Sequence, residues 1–263
     1  MDTFQVLVLA LIQGVTEFLP VSSSAHLILP SSVLNWPDQG LAFDTAVHLG
    51  TLIAVIWYFR YELISLTSAF FQNLLGRPTI ESKFAINLLI ASLPIIPVGF
   101  IIKSFVEGEF RSTETIIFTT VFFGLLLFAA DSFSKKSRLE TELHWRHALI
   151  IGVAQCFALI PGTSRSGVTM SLALLLGYTR ESASRISFLL SIPAIAGAST
   201  LKTYDLIQDP TTVDWQSMAI GIIVAAISAY LCIRLFLDFI NRIGFTPFVL
   251  YRLMLGALLY LLV

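Results

Sequence analysis

Charge is what this sequence has least of. Only 13% of its 263 residues are Asp, Glu, Lys or Arg, about half the share usual in soluble domains. Hydrophobic residues supply 56% of the chain and the mean hydropathy is +0.83. A water-soluble domain is excluded, and an integral membrane protein is expected. An excess of either sign is also missing, since the formal net charge is −1. Nucleic-acid binding needs clustered Lys and Arg on a basic chain, so that function class falls away as well. Cysteine is scarce: Cys156 and Cys232 both lie in apolar runs, where a free thiol behaves as a small hydrophobe, so neither a disulfide nor a metal site is assigned to them. The first apolar stretch has no basic leader and no small-residue cleavage site before it, so no removable signal peptide is expected.

What the sequence has instead is long apolar runs. Segments near the 20 or so residues needed to cross a bilayer fall at about 42–59, 84–104, 114–132, 185–204, 216–236 and 246–263. Two further apolar regions, about 4–34 and 147–177, are each interrupted by proline and small hydroxyl residues, in "LPVSSSAH" and "IPGTSRSG". Irregular backbone at membrane depth is tolerated only inside protein or along a wet cavity, so each region reads as a re-entrant hairpin of two half-helices. The expected fold is therefore an all-α polytopic membrane protein of six transmembrane helices and two re-entrant hairpins, one membrane domain over 1–263.

The basic residues test this arrangement, because Lys and Arg concentrate in cytoplasmic loops. With non-crossing hairpins, one face receives Arg60, Arg77, Lys83, Lys135, Lys136, Arg138, Arg146, Arg180, Arg185, Arg234 and Arg242. The other receives Lys103, Arg111 and Lys202, while Arg165 and Arg252 lie within apolar segments. The first face is expected in the cytoplasm and both termini outside it. The broken regions also resemble each other: "GVTEFLPVSSSAH" at 14–26 against "GVAQCFALIPGTSRSG" at 152–167 sets Glu17 opposite Gln155 and Pro20 opposite Pro161. Halves at about 1–135 and 140–263, each a hairpin plus three crossings, would form an inverted-topology repeat with a site where the hairpin tips meet.

The tips carry the chemistry. Glu17 is an ionisable group in an apolar run, a costly placement that makes function the default reading, and Gln13 shares its helical face at i−4. Of Ser22, Ser23 and Ser24, one suffices to cap a following helix. With His26 a turn later, the hydroxyls form a candidate nucleophile with an acid or base. Arg165 needs an anionic partner, yet no Asp or Glu occurs between 143 and 180, so that partner is Glu17 or a ligand. A guanidinium fork among Thr163, Ser164, Ser166 and Thr169 at a helix N-terminus suits a phosphate. Glu17 beside a phosphate then requires either a bridging Mg²⁺ or Ca²⁺ held by Gln13 and Glu17, or a role as general base for Ser23 or a water. His48, within the first span, is a candidate for a role in the cavity or for a mutual pair with Asp44 at i−4, and His144 and His147 read as part of a solvated connection.

These residues, "QGVTE" with "FLPVSSSAH" and then "PGTSRSGVT", in this order and spacing over essentially the whole chain, resemble the undecaprenyl pyrophosphate phosphatases associated with bacitracin resistance in bacteria. The resemblance implies that Glu17 binds metal or activates the nucleophile, that Ser23 is the nucleophile, and that His26 assists proton transfer. Ser164, Arg165 and Thr169 would hold the pyrophosphate, with Ser22, Ser24 and Ser166 beside them. It implies removal of the terminal phosphate from a C55 polyprenyl pyrophosphate, with the lipid and the bilayer as partners; a homodimer is a further candidate arrangement that the sequence leaves open. The acid-phosphatase-like lipid phosphatases need a His after their Ser-Arg pair, and none follows His147. The rival of a different class is a transporter or flippase for a phosphorylated lipid or anion, which needs the ligands but no nucleophile.

Overall fold

Every regular element is helical, because the apolar runs satisfy their backbone internally as a span in lipid requires. The structure, a computed structural model of the chain, describes residues 1–33, 36–107, 110, 112–208 and 214–262. The helices are α1 Thr3–Thr16, α2 Ser23–Val33, α3 Gly40–Tyr58, α4 Arg60–Leu74, α5 Ile80–Ser92, α6 Ile95–Glu107, α7 Thr113–Phe133, α8 Trp145–Gln155, α9 Arg165–Leu175, α10 Arg180–Gln208, α11 Trp215–Ile243 and α12 Thr246–Leu262. Among the described residues there is no strand, only an isolated bridge between Arg138 and Tyr178. Among the described residues five helical stretches are long and apolar enough to cross a membrane: α3, α5 running into α6 as far as Ile102, α7, α10 and α11. The sixth expected crossing, 246–263, is the shorter α12. The chain is a multi-pass helical membrane protein.

Elsewhere the structure redraws the expected boundaries. The run at 84–104 starts earlier, at a capping box between Thr79 and Ser82, and breaks at Leu93 and Pro94, where the ring removes an N–H donor. The connection after α3 holds a separate helix, α4, begun at Arg60 immediately after the break at Phe59. Arg111, one of the cations assigned to the sparse face, lies outside the described residues. On the crowded face, basic residues meet acids at one end of the bundle. Arg180 donates from Nε and Nη2 to Asp131 at 2.7 and 3.0 Å, and Lys136 reaches the Asp131 carbonyl. Arg185 spans Glu140 at 2.8 Å and Glu62 at 2.5 Å.

Two glycines set the packing of the broken regions. α1 lies against α11 at Gly14, where an added Cβ would fall 2.7 Å from the Ala225 carbonyl oxygen; α8 lies against α5 at Gly152, where it would fall 2.4 Å from the Ala91 carbonyl oxygen. Both glycines stand three residues before the aligned pair Glu17 and Gln155, so each broken helix crosses its neighbour at the same register. Close helix approach over a small residue is the usual device for packing in lipid.

Gly14→Ala and Gly152→Ala should each cost about 1–3 kcal/mol by overpacking against backbone, read as a lower unfolding temperature in detergent. Gly197→Ala, with open space around its Cβ, should leave that temperature unchanged or raise it.

Candidate functional site at the two helix breaks

Each break is built the same way. α1 ends at Thr16, whose hydroxyl turns back to donate to the Ile12 carbonyl at 2.6 Å, and Glu17 caps it. Pro20 prevents continuation, Ser22 takes a left-handed φ of 74°, and α2 starts at Ser23. In the second region α8 ends at Gln155, a short 3-10 turn covers Cys156–Leu159, Pro161 and Gly162 follow, and Ser164 takes φ 70° before α9 starts at Arg165. Left-handed backbone is uncommon outside glycine, and here one serine adopts it at each break. The hydroxyls repeat too: Ser22 and Ser24 share a hydrogen bond of 3.2 Å, as do Ser164 and Ser166. Ser164 Oγ caps α9 by accepting from the Gly167 N–H at 3.1 Å, and Ser166 donates to the Leu19 carbonyl at 2.8 Å, tying one break to the other.

Glu17 is the hub. Its Oε2 accepts from Ser23 Oγ at 2.7 Å and from Gln13 Nε2 at 3.0 Å; its Oε1 accepts from Arg165 Nη2 at 3.1 Å. The side chains of Glu17 and Arg165 are 8% and 11% accessible, so neither ion has enough water to stand alone, and a buried pair that loses one member costs about 3–5 kcal/mol. Arg165 also donates from Nη1 to the Ser187 carbonyl at 2.8 Å. Among the described residues these contacts use two of its five N–H donors, leaving others for an anion. Thr169 lies beneath it, fully buried, with its hydroxyl on the Arg165 carbonyl at 2.8 Å and on Ser187 Oγ at 2.7 Å.

The expected partner of Arg165 is therefore Glu17, and Gln13, Glu17, Ser23 and Arg165 converge. His26 goes elsewhere. Its Nδ1 donates to the Ser22 carbonyl at 2.7 Å, which leaves Nε2 as the acceptor of a neutral ring, and there Tyr251 donates its hydroxyl at 2.5 Å. Ser23 is hydrogen-bonded to Glu17 in place of His26. The Asp44–His48 side-chain pair does not form either. His48 Nδ1 donates to the Asp44 backbone carbonyl at 2.6 Å, while the Asp44 carboxylate accepts from Gln39. The rings of His144 and His147 are tilted by 38° with centroids 3.8 Å apart, and His147 Nδ1 meets the Tyr178 hydroxyl at 2.9 Å.

Three contributors have partners at the site that a reading of the sequence does not supply. His48 Nε2 comes within 3.9 Å of Glu17 Oε2. Ser187 holds both Arg165 and Thr169. Arg252, fully buried in α12, donates to the carbonyls of Pro20 at one break, of Gly162 and Thr163 at the other, and of Thr119 and Thr120 on α7, at 2.9–3.3 Å. Its position inside the last apolar run was the one signal available, since an ionisable group there needs partners.

A multi-pass helical membrane protein with a buried acid, a hydroxyl and a guanidinium gathered at two broken helices is the class this architecture defines. Within that class, residues 6–258 match the family model described as bacitracin resistance protein BacA. The chain belongs to that family, a family of hydrolases linked to bacitracin resistance and to recycling of the cell-wall lipid carrier.

Arg252→Met would take the guanidinium from the Pro20 and Thr163 carbonyls and cut the tie between the two breaks and α7. The unfolding free energy should fall by about 3 kcal/mol or more, and Arg252→Lys, which keeps a cation but not the fork, should recover only part of it; thermal unfolding in detergent measures both.

Proposed function

We propose that the protein hydrolyses undecaprenyl pyrophosphate within the bilayer, releasing the terminal phosphate and leaving undecaprenyl phosphate for re-use as a carrier of cell-wall precursors. The observation that carries this reading is the 2.7 Å bond from Ser23 Oγ to Glu17 Oε2, with Arg165 on the other carboxylate oxygen. A nucleophile already hydrogen-bonded to a base is what covalent catalysis requires. A carrier for the same anion would need Arg165 and the hydroxyls, and has no use for that bond.

In the proposed reaction the terminal phosphate enters between the breaks and takes the free N–H donors of Arg165, with the Ser164 and Ser166 hydroxyls and the N-terminus of α9 facing its oxygens. Ser22 and Ser24 line the opposite side. Ser23 Oγ attacks phosphorus as its proton passes to Glu17. The bond to the bridging oxygen breaks, and Glu17 hands the proton to that departing oxygen, which leaves on the lipid monophosphate. Glu17 then deprotonates a water that attacks phosphoserine, and the proton returns to Ser23 Oγ as inorganic phosphate departs. His26, held between Ser22 and Tyr251, positions the start of α2.

The residues fit a divalent cation. Gln13 Oε1 is buried with no donor among the described residues, although the same amide donates its Nε2 to Glu17. Gln13 and Glu17 thus offer the hard oxygens that Mg²⁺ or Ca²⁺ favours. When bound, the ion supplies positive charge against the phosphate oxyanions.

The same proposal extends to topology. α12 makes the sixth crossing, α1–α2 and α8–α9 are re-entrant hairpins, and the halves are inverted copies whose site lies between the tips, with the Arg-rich end in the cytoplasm. The matched crossings at Gly14 and Gly152 and the matched left-handed serines support this arrangement.

Phosphate release from a polyprenyl pyrophosphate in detergent should be abolished by chelator. It should fall at least about 100-fold in each of Glu17→Ala, Ser23→Ala and Arg165→Ala. No release from folded, metal-supplied wild type would sink the hydrolase reading in favour of transport. Sidedness has its own check: Ser24, exposed at the first break, replaced by Cys in a background without Cys156 and Cys232, should react with an impermeant thiol reagent added outside. Labelling only from the cytoplasm would reverse the orientation.

A further inference from the structure

His48 stands outside both broken helices, on α3, yet its ring is aimed at the hub. Nδ1 faces the Asp44 carbonyl at 2.6 Å. A carbonyl only accepts, so Nδ1 carries the proton and the Nε2 lone pair faces away from it. A metal-binding histidine is held in this way, with its second nitrogen donating to a carbonyl that fixes tautomer and ring orientation. The lone pair lies 3.9 Å from Glu17 Oε2, too far for a hydrogen bond. Two ligands of one octahedral ion with bonds of about 2.1 Å stand roughly 3.0 Å apart when adjacent and 4.2 Å when opposite, and the 3.9 Å separation is closer to the second. A third donor is at hand in Gln13 Oε1, fully buried and without a partner among the described residues, on the amide bonded to the same Glu17 oxygen.

We infer that His48 Nε2 is a ligand of the divalent cation, completing a mixed set of one imidazole, one carboxylate and one amide oxygen drawn from α1, its cap and α3. This rests on the metal-dependent reading above. Among the described residues no three His, Cys, Asp or Glu side chains cluster, and the amide of Gln13 supplies what a third such group would. Three protein ligands leave positions for water and for phosphate oxygens. Arg165 occupies Oε1, so an ion would approach the Oε2 side of the carboxylate, which also carries the Ser23 and Gln13 hydrogen bonds. Access differs as well: the His48 side chain is 23% accessible against 8% for Glu17, so the ion meets the hub from the α3 side. An imidazole in the set favours first-row transition ions over Mg²⁺ and Ca²⁺, and Mn²⁺, which shares their preference for oxygen ligands, serves as the paramagnetic probe.

The test is Mn²⁺ binding to the purified full chain in detergent, titrated by electron paramagnetic resonance, with pulsed measurements for ¹⁴N coupled to the bound ion. The wild type should show nitrogen coupling from one imidazole. His48→Gln should abolish it and weaken Mn²⁺ binding about tenfold or more, while His26→Gln should retain both. Circular dichroism of each variant separates lost binding from lost fold. Mn²⁺ bound without ¹⁴N coupling, or coupling that persists in His48→Gln, would overturn the assignment and leave hydrolysis through Gln13 and Glu17 standing. No Mn²⁺ binding by a wild type that still releases phosphate would overturn the assignment together with the metal. Mn²⁺ bound through His48 but no phosphate release would sustain the ligand and overturn the hydrolase.

Discussion

The buried pair of Glu17 and Arg165 is the constraint around which the other polar contacts arrange themselves. Neither ion is stable in an apolar interior without the other, and their positions in sequence are 148 residues apart, so the pair forms only when both broken helices are docked. Everything near it secures that docking: Ser166 reaching Leu19, Ser187 steadying Arg165, and the glycine crossings that bring α1 onto α11 and α8 onto α5. A site of this kind has little tolerance for loose packing, because a separation of the breaks would strand two charges at once.

The two breaks share a backbone and differ in chemistry. The left-handed serine, the hydroxyl two residues later and the glycine three residues before the aligned polar residue are common to both. Ser23 on one side stands where Arg165 stands on the other, and Glu17 where Gln155 stands. One break thus supplies negative charge and the hydroxyl bonded to it, and the other supplies the cation. Gln155 is fully buried, and both of its amide atoms lack a partner among the described residues, as though the position retains polarity after losing its charge.

Much of this was legible in the sequence. Apolar runs of sufficient length announced the long helices, and Pro with hydroxyl residues announced the breaks, since both signals act locally through hydrogen-bond satisfaction. An isolated Arg165 with no nearby acid pointed across the chain to Glu17. What could not be read were partners on the main chain. The carbonyls that hold Arg252, His26 and His48 belong to no residue type, so an i, i+4 pattern made Asp44 the side-chain partner of His48 when its backbone was the acceptor. α4 was missed because "YELISLTSAFFQNLL" mixes polar and apolar positions too evenly to register as a span, and the α5–α6 break because one proline leaves mean hydropathy unchanged.

Arg252 ties the breaks together from α12, which is made after both of them. When a ribosome delivers this chain into the membrane, both broken regions emerge before the guanidinium that reaches their carbonyls. Until α12 arrives, those turns have exposed acceptors and no guanidinium to hold them in register. The nascent chain therefore carries all its reactive groups well before it can align them, and maturation of the site is a late event of insertion, separated in time from the making of its parts.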